Sequence, residues 1–471
     1  MVKNLVHYFA MIILLAIFLT VGSCSPIQPV TILPTSTKIL PTLTRIPETP
    51  TPLSQQKIEI PDIEKFSNRI TIEFWHPWSG EASSVIDSLI KDFNSSNIWN
   101  FQVNAFSYGN EDYLSDKVLN ALQNHQNPDV IAAPINFLRN LFINGNEIVD
   151  LSAYVNHPQW GLTEEEKLSY PLTFWQQDTI NSARYGMPAQ RDAHVLFYNQ
   201  SWAKELGFES PPATPDGFLN QSCAAARENS FDDDPDNNGT GGWIYNSDPL
   251  TVLSWMKTFN GGELPKNEDD QYNFENQPNV DAFTFLQQIV KLGCAWIGKD
   301  SDPYRYFASR KALFYSGTLQ DLLIQKKNPT KDHWIIISYP STQGNDIVLT
   351  DGFSYGVLKS TPEKDLAAWL FIRWMQKSEI QVKLINVTST YYLTSSTLKK
   401  MVSFRHLNPA WDTALQYLPL TKSTPLFSSW INVGRILQDS AWQLTQSNVK
   451  SGDIPVILSE VDKLIKEIYQ K

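Results

Sequence analysis

Carboxylates are the most abundant groups able to do chemistry in this chain: 49 acidic residues stand against 38 basic ones, for a formal charge of -11. Two carboxylates about 5 to 10 Å apart, one with a raised pKa, would make a glycoside hydrolase. No spacing singles out such a pair, so no catalytic residue is assigned and an enzyme is not expected. Residues 232–239 place Asp234, Asp236, Asn238 and Gly239 in the D-x-D-x-N-G pattern that opens a calcium loop. The twelfth position is Tyr245 where a bidentate Glu is required. The segment therefore reads as a solvated turn of residues that tolerate left-handed backbone, and no metal is assigned. The seven His are scattered, and no phosphate loop, zinc-protease motif, nucleophile elbow or paired C-x-x-C occurs. No cofactor is expected. Aromatic residues are the unusual feature, with 15 Trp and 18 Tyr. Flat rings with a polar edge suit ligands that have both apolar faces and polar rims. The acidic balance argues against nucleic acid as a partner.

Cys24 is the first residue with a specific chemical expectation. Lys3 and the apolar run 8–21 make a signal peptide, too short to span a bilayer. Val21-Gly22-Ser23-Cys24 resembles the lipobox of bacterial lipoproteins, in which the cysteine thiol receives a diacylglyceryl group. Residues 1–23 are then the signal and 24–66 the lipidated Cys with its linker. Residues 25–56 hold seven Pro and seven Thr and no aromatic residue. Such a segment stays extended and could reach roughly 100 Å at about 3.1 Å per residue.

The elements that must position any site begin near Ser67. Residues 69–75 alternate like a strand, and Pro77-Trp78-Ser79-Gly80 breaks it. Ile86, Leu89, Ile90 and Phe93 recur at helical spacing, and Phe101, Val103 and Ala105 alternate again. A helical stretch at 113–123 precedes a short apolar run at 129–133. Strand, helix, strand, helix, strand predicts a parallel sheet with helices on its faces. Ligands of such sheets sit beyond the carboxyl ends of the strands, so loops 75–81, 107–112 and 134–137 share one rim. Thr361, Pro362 and Glu363 open a helix whose segment 366–374 is apolar nearly all round.

Ile72-Glu73-Phe74-Trp75-His76-Pro77-Trp78-Ser79-Gly80 resembles the opening strand and loop of extracellular solute-binding proteins of the sugar-binding, maltodextrin-binding type. The likeness continues at Pro128-Asp129-Val130, Gly186-Met187-Pro188, Leu196-Phe197-Tyr198-Asn199 and Phe307-Ala308-Ser309-Arg310-Lys311-Ala312-Leu313-Phe314. In the last of these, Arg310 stands where glycine is usual. Asp351-Gly352-Phe353-Ser354-Tyr355 is similar to a crossing between lobes. The resemblance covers roughly residues 70 to 471.

This resemblance implies an α/β fold of the two-lobe, periplasmic-binding-protein-like kind (type II), with three interlobe crossings and a ligand cleft. Lobe 1 would hold 67–188 plus 352–388, and lobe 2 would hold 191–350 plus 391–471. It implies a lipid-anchored, extracytoplasmic receptor of an ABC importer, monomeric, binding a sugar or oligosaccharide by cleft closure and docking on permease subunits. The alternatives are a polyol-phosphate binder of the glycerol-phosphate type, a glycoside hydrolase, or a binding module without a transport role. Positions matching the cleft loops are Trp78, Ser79, Glu81, Asn136, Arg191, Asp192, Trp255, Tyr315, Phe353 and Trp430. Cys223 and Cys294 would share lobe 2, either as a disulfide or as two buried thiols.

Overall fold

The computed structural model describes residues 60–61, 69–265, 270–299, 302–344 and 346–469. The signal, Cys24 and the Pro/Thr-rich linker lie outside the described residues.

The strands that place the site are β1 (Thr71–His76), β2 (Gln102–Ser107), β3 (Val130–Pro134), β4 (Met187–Asn199), β5 (Gly241–Ile244), β6 (Ala295–Trp296), β7 (Ala312–Thr318), β8 (Trp334–Ile337), β9 (Val348–Val357) and β10 (Thr421–Ser423). The helices packed around them include α1 (Gly80–Ser96), α2 (Glu111–Gln123), α3 (Pro215–Phe231), α4 (Pro249–Thr258), α5 (Gln277–Lys291), α6 (Pro362–Met375), α7 (Trp430–Gln443) and α8 (Ile454–Tyr469). No described helix is long and apolar enough to cross a membrane.

Hydrophobic spacing explains the first elements. In α1 the buried residues are Ile86, Leu89, Ile90 and Phe93, the four that recur at helical intervals. In α2 the Asn110 side chain accepts the Tyr113 N–H at 2.8 Å and caps the helix. The expected order holds: β1 pairs in parallel with both β2 and β3. In α6, Thr361 caps the first turn, Pro362 follows it, and every residue from Leu366 to Ile372 is buried.

The sheet runs β2-β1-β3-β9-β4-β7-β5-β6, with β8 also on β4 and β10 on β9. Two long strands join its halves. Strand β9 pairs with β10 over Val348–Thr350 and with β3 over Phe353–Val357. Strand β4 pairs with β9 over Met187–Ala193 and with β7 over His194–Tyr198. The change of partners falls at Gln190–His194 and Asp351–Phe353, where the register also slips between Phe353 and Ser354. Gly352 lies there at φ +139, and a Cβ would come within 2.2 Å of the Gln190 carbonyl oxygen. Only glycine fits so close an approach.

One hydrophobic cluster joins β1, α1 and α6 to the long strands through Phe74, Phe93, Trp369 and Phe371. A second fills the far half with Phe218, Trp243, Trp255, Phe285, Val433 and Leu458. Cys223 in α3 and Cys294 after α5 form a disulfide with a Cα–Cα distance of 4.4 Å, closing a sequence separation of 71. This resolves the two possibilities left open by the sequence. By the loop-entropy argument it contributes about 4 kcal/mol.

Candidate functional site

Strand alternation decides which residues of the crossing can reach a ligand. On β4, Gln190 and Asp192 line a cavity of about 200 Å³, whereas Arg191 between them points to the other face. Asn136 enters the same cavity from the segment after β3, Asp351 and Phe353 from β9, and Trp430 from the first turn of α7. Sequence reasoning had named Asn136, Asp192, Phe353 and Trp430, and the fold brings these four together. It had missed Glu111, Gln190, Gln320 and Asp351, which line the same space. Glu111 was legible as the first residue of a helix rising from the rim loop 107–112. The others required knowledge of the crossing.

Asp192 is 3 % exposed and already engaged. Its Oδ1 accepts the backbone N–H groups of Ala193 at 2.8 Å and Leu319 at 2.9 Å, and its Oδ2 accepts Gln320 Nε2 at 2.7 Å. Burial, and then the negative charge of Asp351, push its pKa up to about 6 despite those hydrogen bonds. His194 Nε2 lies 3.0 Å from Asp351 Oδ2. Burial acts to lower its pKa, but Asp351 foremost, with Asp192 and Asp248, outweighs burial and holds the imidazole at about 9. Glu111 keeps an exposed surface at the cavity rim, and crowding by the protein first, then the charges of Asp351 and Asp112, raise its pKa to about 7. Gln190 accepts the Trp78 indole N–H at 2.7 Å, and its own Nε2 has no partner.

A larger cavity, about 680 Å³, opens along the ends of β5 and β7. His194, Asp248, Tyr304, Asp321 and Trp442 are among its walls. Tyr315 lines it too, but its ring is 1 % exposed and stacked on Phe197 at 4.3 Å. Its hydroxyl is buried without a partner. A third cavity of about 410 Å³, between Trp160, Tyr170 and Trp374, shares no residue with the crossing.

The assignments that need correction are Trp78, Ser79, Glu81, Arg191 and Trp255, none of which lines the crossing cavity. Arg191 is fully buried, and its Nη2 donates to Asp178 Oδ2 at 2.8 Å and to Ser354 Oγ at 3.0 Å. Its Nη1 donates to the Phe353 carbonyl at 2.7 Å. It is an internal ion pair behind the crossing, turned away from ligand by strand alternation. Trp255 is also fully buried, packed on Phe218 at 4.9 Å and Phe285 at 4.8 Å. It lies on the inner face of α4, which is core. Trp78 is 6 % exposed and anchors Gln190 from behind. Ser79 and Glu81 are exposed at the start of α1 and line none of these three cavities. Trp430 is 8 % exposed, so it is both cavity wall and part of the second core cluster. In the 232–239 turn, Asp232 and Asp234 each accept a backbone N–H two residues on, at 3.0 Å. Those carboxylates serve the turn itself.

The family described as bacterial extracellular solute-binding protein matches residues 88–401. The chain belongs to that family. No curated protein matches it significantly. Among solved structures, it is similar to the sugar-binding protein MalE from Xanthomonas citri, at 19 % identity and a TM-score of 0.73 over 84 % of this chain and 97 % of that one. It is similar to UgpB from Mycobacterium tuberculosis, solved in complex with glycerophosphocholine, at 15 % identity and 0.70 over 85 % and 99 %. The substrate-binding protein Lmo0181 from Listeria monocytogenes, solved with cycloalternan, gives 16 % identity and 0.69 over 86 % and 100 %. The fold is therefore that of the type II periplasmic binding proteins.

Proposed function

We propose that this protein is the extracytoplasmic receptor of an ABC importer and captures a saccharide in the cavity at the strand crossing. The observation that carries the reading is the make-up of that cavity. Hydrogen-bonding side chains (Asn136, Gln190, Asp192, Gln320) face aromatic ones (Phe353, Trp430) where β4 and β9 pass between the sheet halves. Sugars offer hydroxyl rims to the first group and C–H faces to the second. Sugar-binding relatives such as MalE support the choice. The UgpB complex raises the polyol-phosphate alternative; no Lys or Arg is among the residues described as lining this cavity, and the first turns of α2, α4 and α7 are the phosphate-binding donors it would have to rely on.

In this reading residues 67–188 plus 352–388 form one lobe and 191–350 plus 391–471 the other. Closure about Gln190–His194 and Asp351–Phe353 traps the ligand, and the closed monomer docks on permease subunits. Cys24 carries the lipid, so the body works at the end of its linker. Changing Cys24 to Ala releases the protein from the membrane fraction and leaves affinity unchanged. The ligand is carried and not cleaved: oligosaccharide is recovered intact after prolonged incubation.

The test is a thermal-shift screen of mono- and oligosaccharides together with polyol phosphates. A ligand at a hundred times its Kd adds about 2.7 kcal/mol. A response to polyol phosphates and to no sugar overturns the reading.

A further inference from the structure

The charge of the central cavity narrows the ligand further, on the basis of the saccharide reading above. Glu111, Asp192 and Asp351 all line it, with no Lys or Arg among the described lining residues. His194 lies 3.0 Å from Asp351 and lines the neighbouring cavity, while the Arg191 charge behind the crossing is matched by its own partner Asp178. One imidazolium against three carboxylates leaves the space net negative. The repulsion is visible in the raised pKa values of Asp192 and Glu111, where desolvation acts first and Asp351 next.

Hydroxyl groups satisfy hydrogen bonds but do not remove that repulsion; a cation does. Asp192 spends its oxygens on three protein N–H donors. The Glu111 carboxylate accepts no hydrogen bond from the described residues, its backbone carbonyl alone taking Ser115 Oγ, and the Asp351 carboxylate holds only His194. These two carboxylates have capacity left for a charged donor. Trp430 and Phe353 are the aromatic walls of the same cavity, and aromatic faces attract ammonium groups. Gln190 supplies an independent indication. It is 4 % exposed and lines the cavity, and its Nε2 has no acceptor, which a sugar oxygen can provide.

We propose that the cavity selects an amino sugar, a saccharide with a protonated primary amine directed to Glu111 and Asp351 and ring oxygens directed to Gln190. The class is distinct both from neutral sugars and from polyol phosphates.

Calorimetric titration of the full mature chain at about pH 7 tests it. The probes are glucosamine and its fully deacetylated β-1,4 dimer, each against its N-acetylated counterpart and against glucose and cellobiose. Amines binding at least about tenfold tighter than both counterparts, the ratio that about 1.4 kcal/mol gives, is the expected result. Glu111→Gln should lower the ratio of amine to neutral affinity by at least about threefold, and Asp351→Asn gives the same readout from a different element. Neutral sugars binding as tightly as amines overturn this inference and leave the saccharide reading standing. Polyol phosphates binding where no sugar does overturns both. Variants that weaken amine and neutral ligands equally overturn the assignment of Glu111 and Asp351 as charge partners.

Discussion

Replacing Asp192 by Asn should stabilise the ligand-free protein as pH rises, although it removes a hydrogen-bonded side chain. The carboxyl goes from an ordinary 3.8 to about 6 on folding, chiefly through burial. A raised acid favours the folded state only while it is protonated. Its ionisation therefore costs nothing below about pH 4, and the full penalty, roughly 2 to 3 kcal/mol, is reached once pH exceeds the folded value. About 2 kcal/mol of that appears between pH 4 and 6. Asparagine cannot ionise. Its oxygen can keep the N–H groups of Ala193 and Leu319, and Gln320 can turn its amide to accept from the new Nδ2. The variant should thus be about 1 kcal/mol less stable near pH 4, because the amide does not reproduce the hydrogen-bond geometry of the neutral carboxyl. It should gain about 2 kcal/mol on wild type by pH 6. Urea denaturation at several pH values below 6.5 is the assay, since there the His194 imidazole is charged in both states. Saccharide affinity of the same variant should fall by about tenfold or more, because a charged acceptor has gone. A stability difference that does not change with pH, or that moves against the variant as pH rises, refutes the argument.

Three further outcomes are expected. Trp430→Ala should weaken saccharide binding at least about thirtyfold and also lower the denaturation midpoint, since the indole is 8 % exposed and belongs to a core cluster; titration of the folded protein separates the two effects. Arg191→Met takes the salt-bridge partner from buried Asp178, leaving it the Ser354 hydroxyl as donor, and chemical denaturation should show a loss of about 3 to 5 kcal/mol. The paired change of Cys223 and Cys294 to Ser should cost about 4 kcal/mol, and thiol titration of the unfolded wild-type chain without reductant should find neither cysteine free.

The division of labour between sequence and fold can be read from single residues. Periodicity was enough for β1, α1 and β2, which alternate between buried and exposed positions, and a short apolar run marked β3, which is buried on both faces. Ile86, Leu89, Ile90 and Phe93 carry α1, and Thr361 with Pro362 marks the start of α6. Family resemblance placed Asn136, Asp192, Phe353 and Trp430 among the cleft positions, and these four line one cavity. Local pattern could not say which face of β4 would meet that cavity. Arg191 and Asp192 are adjacent, yet one is sealed against Asp178 and the other lines the cavity. Trp255 and Trp430 are both large, apolar and helical, so composition treats them alike. Only packing made the first wholly core and the second a wall. The acidic character of the site was equally hidden, since Glu111, Asp192 and Asp351 lie far apart in the chain and their repulsion exists only once the sheet brings them together. The chain by itself determined the elements and the family, because those depend on periodicity and order. The ligand-facing chemistry was left to the tertiary structure, because burial, distance and mutual charge are properties of the assembled crossing and of no segment alone.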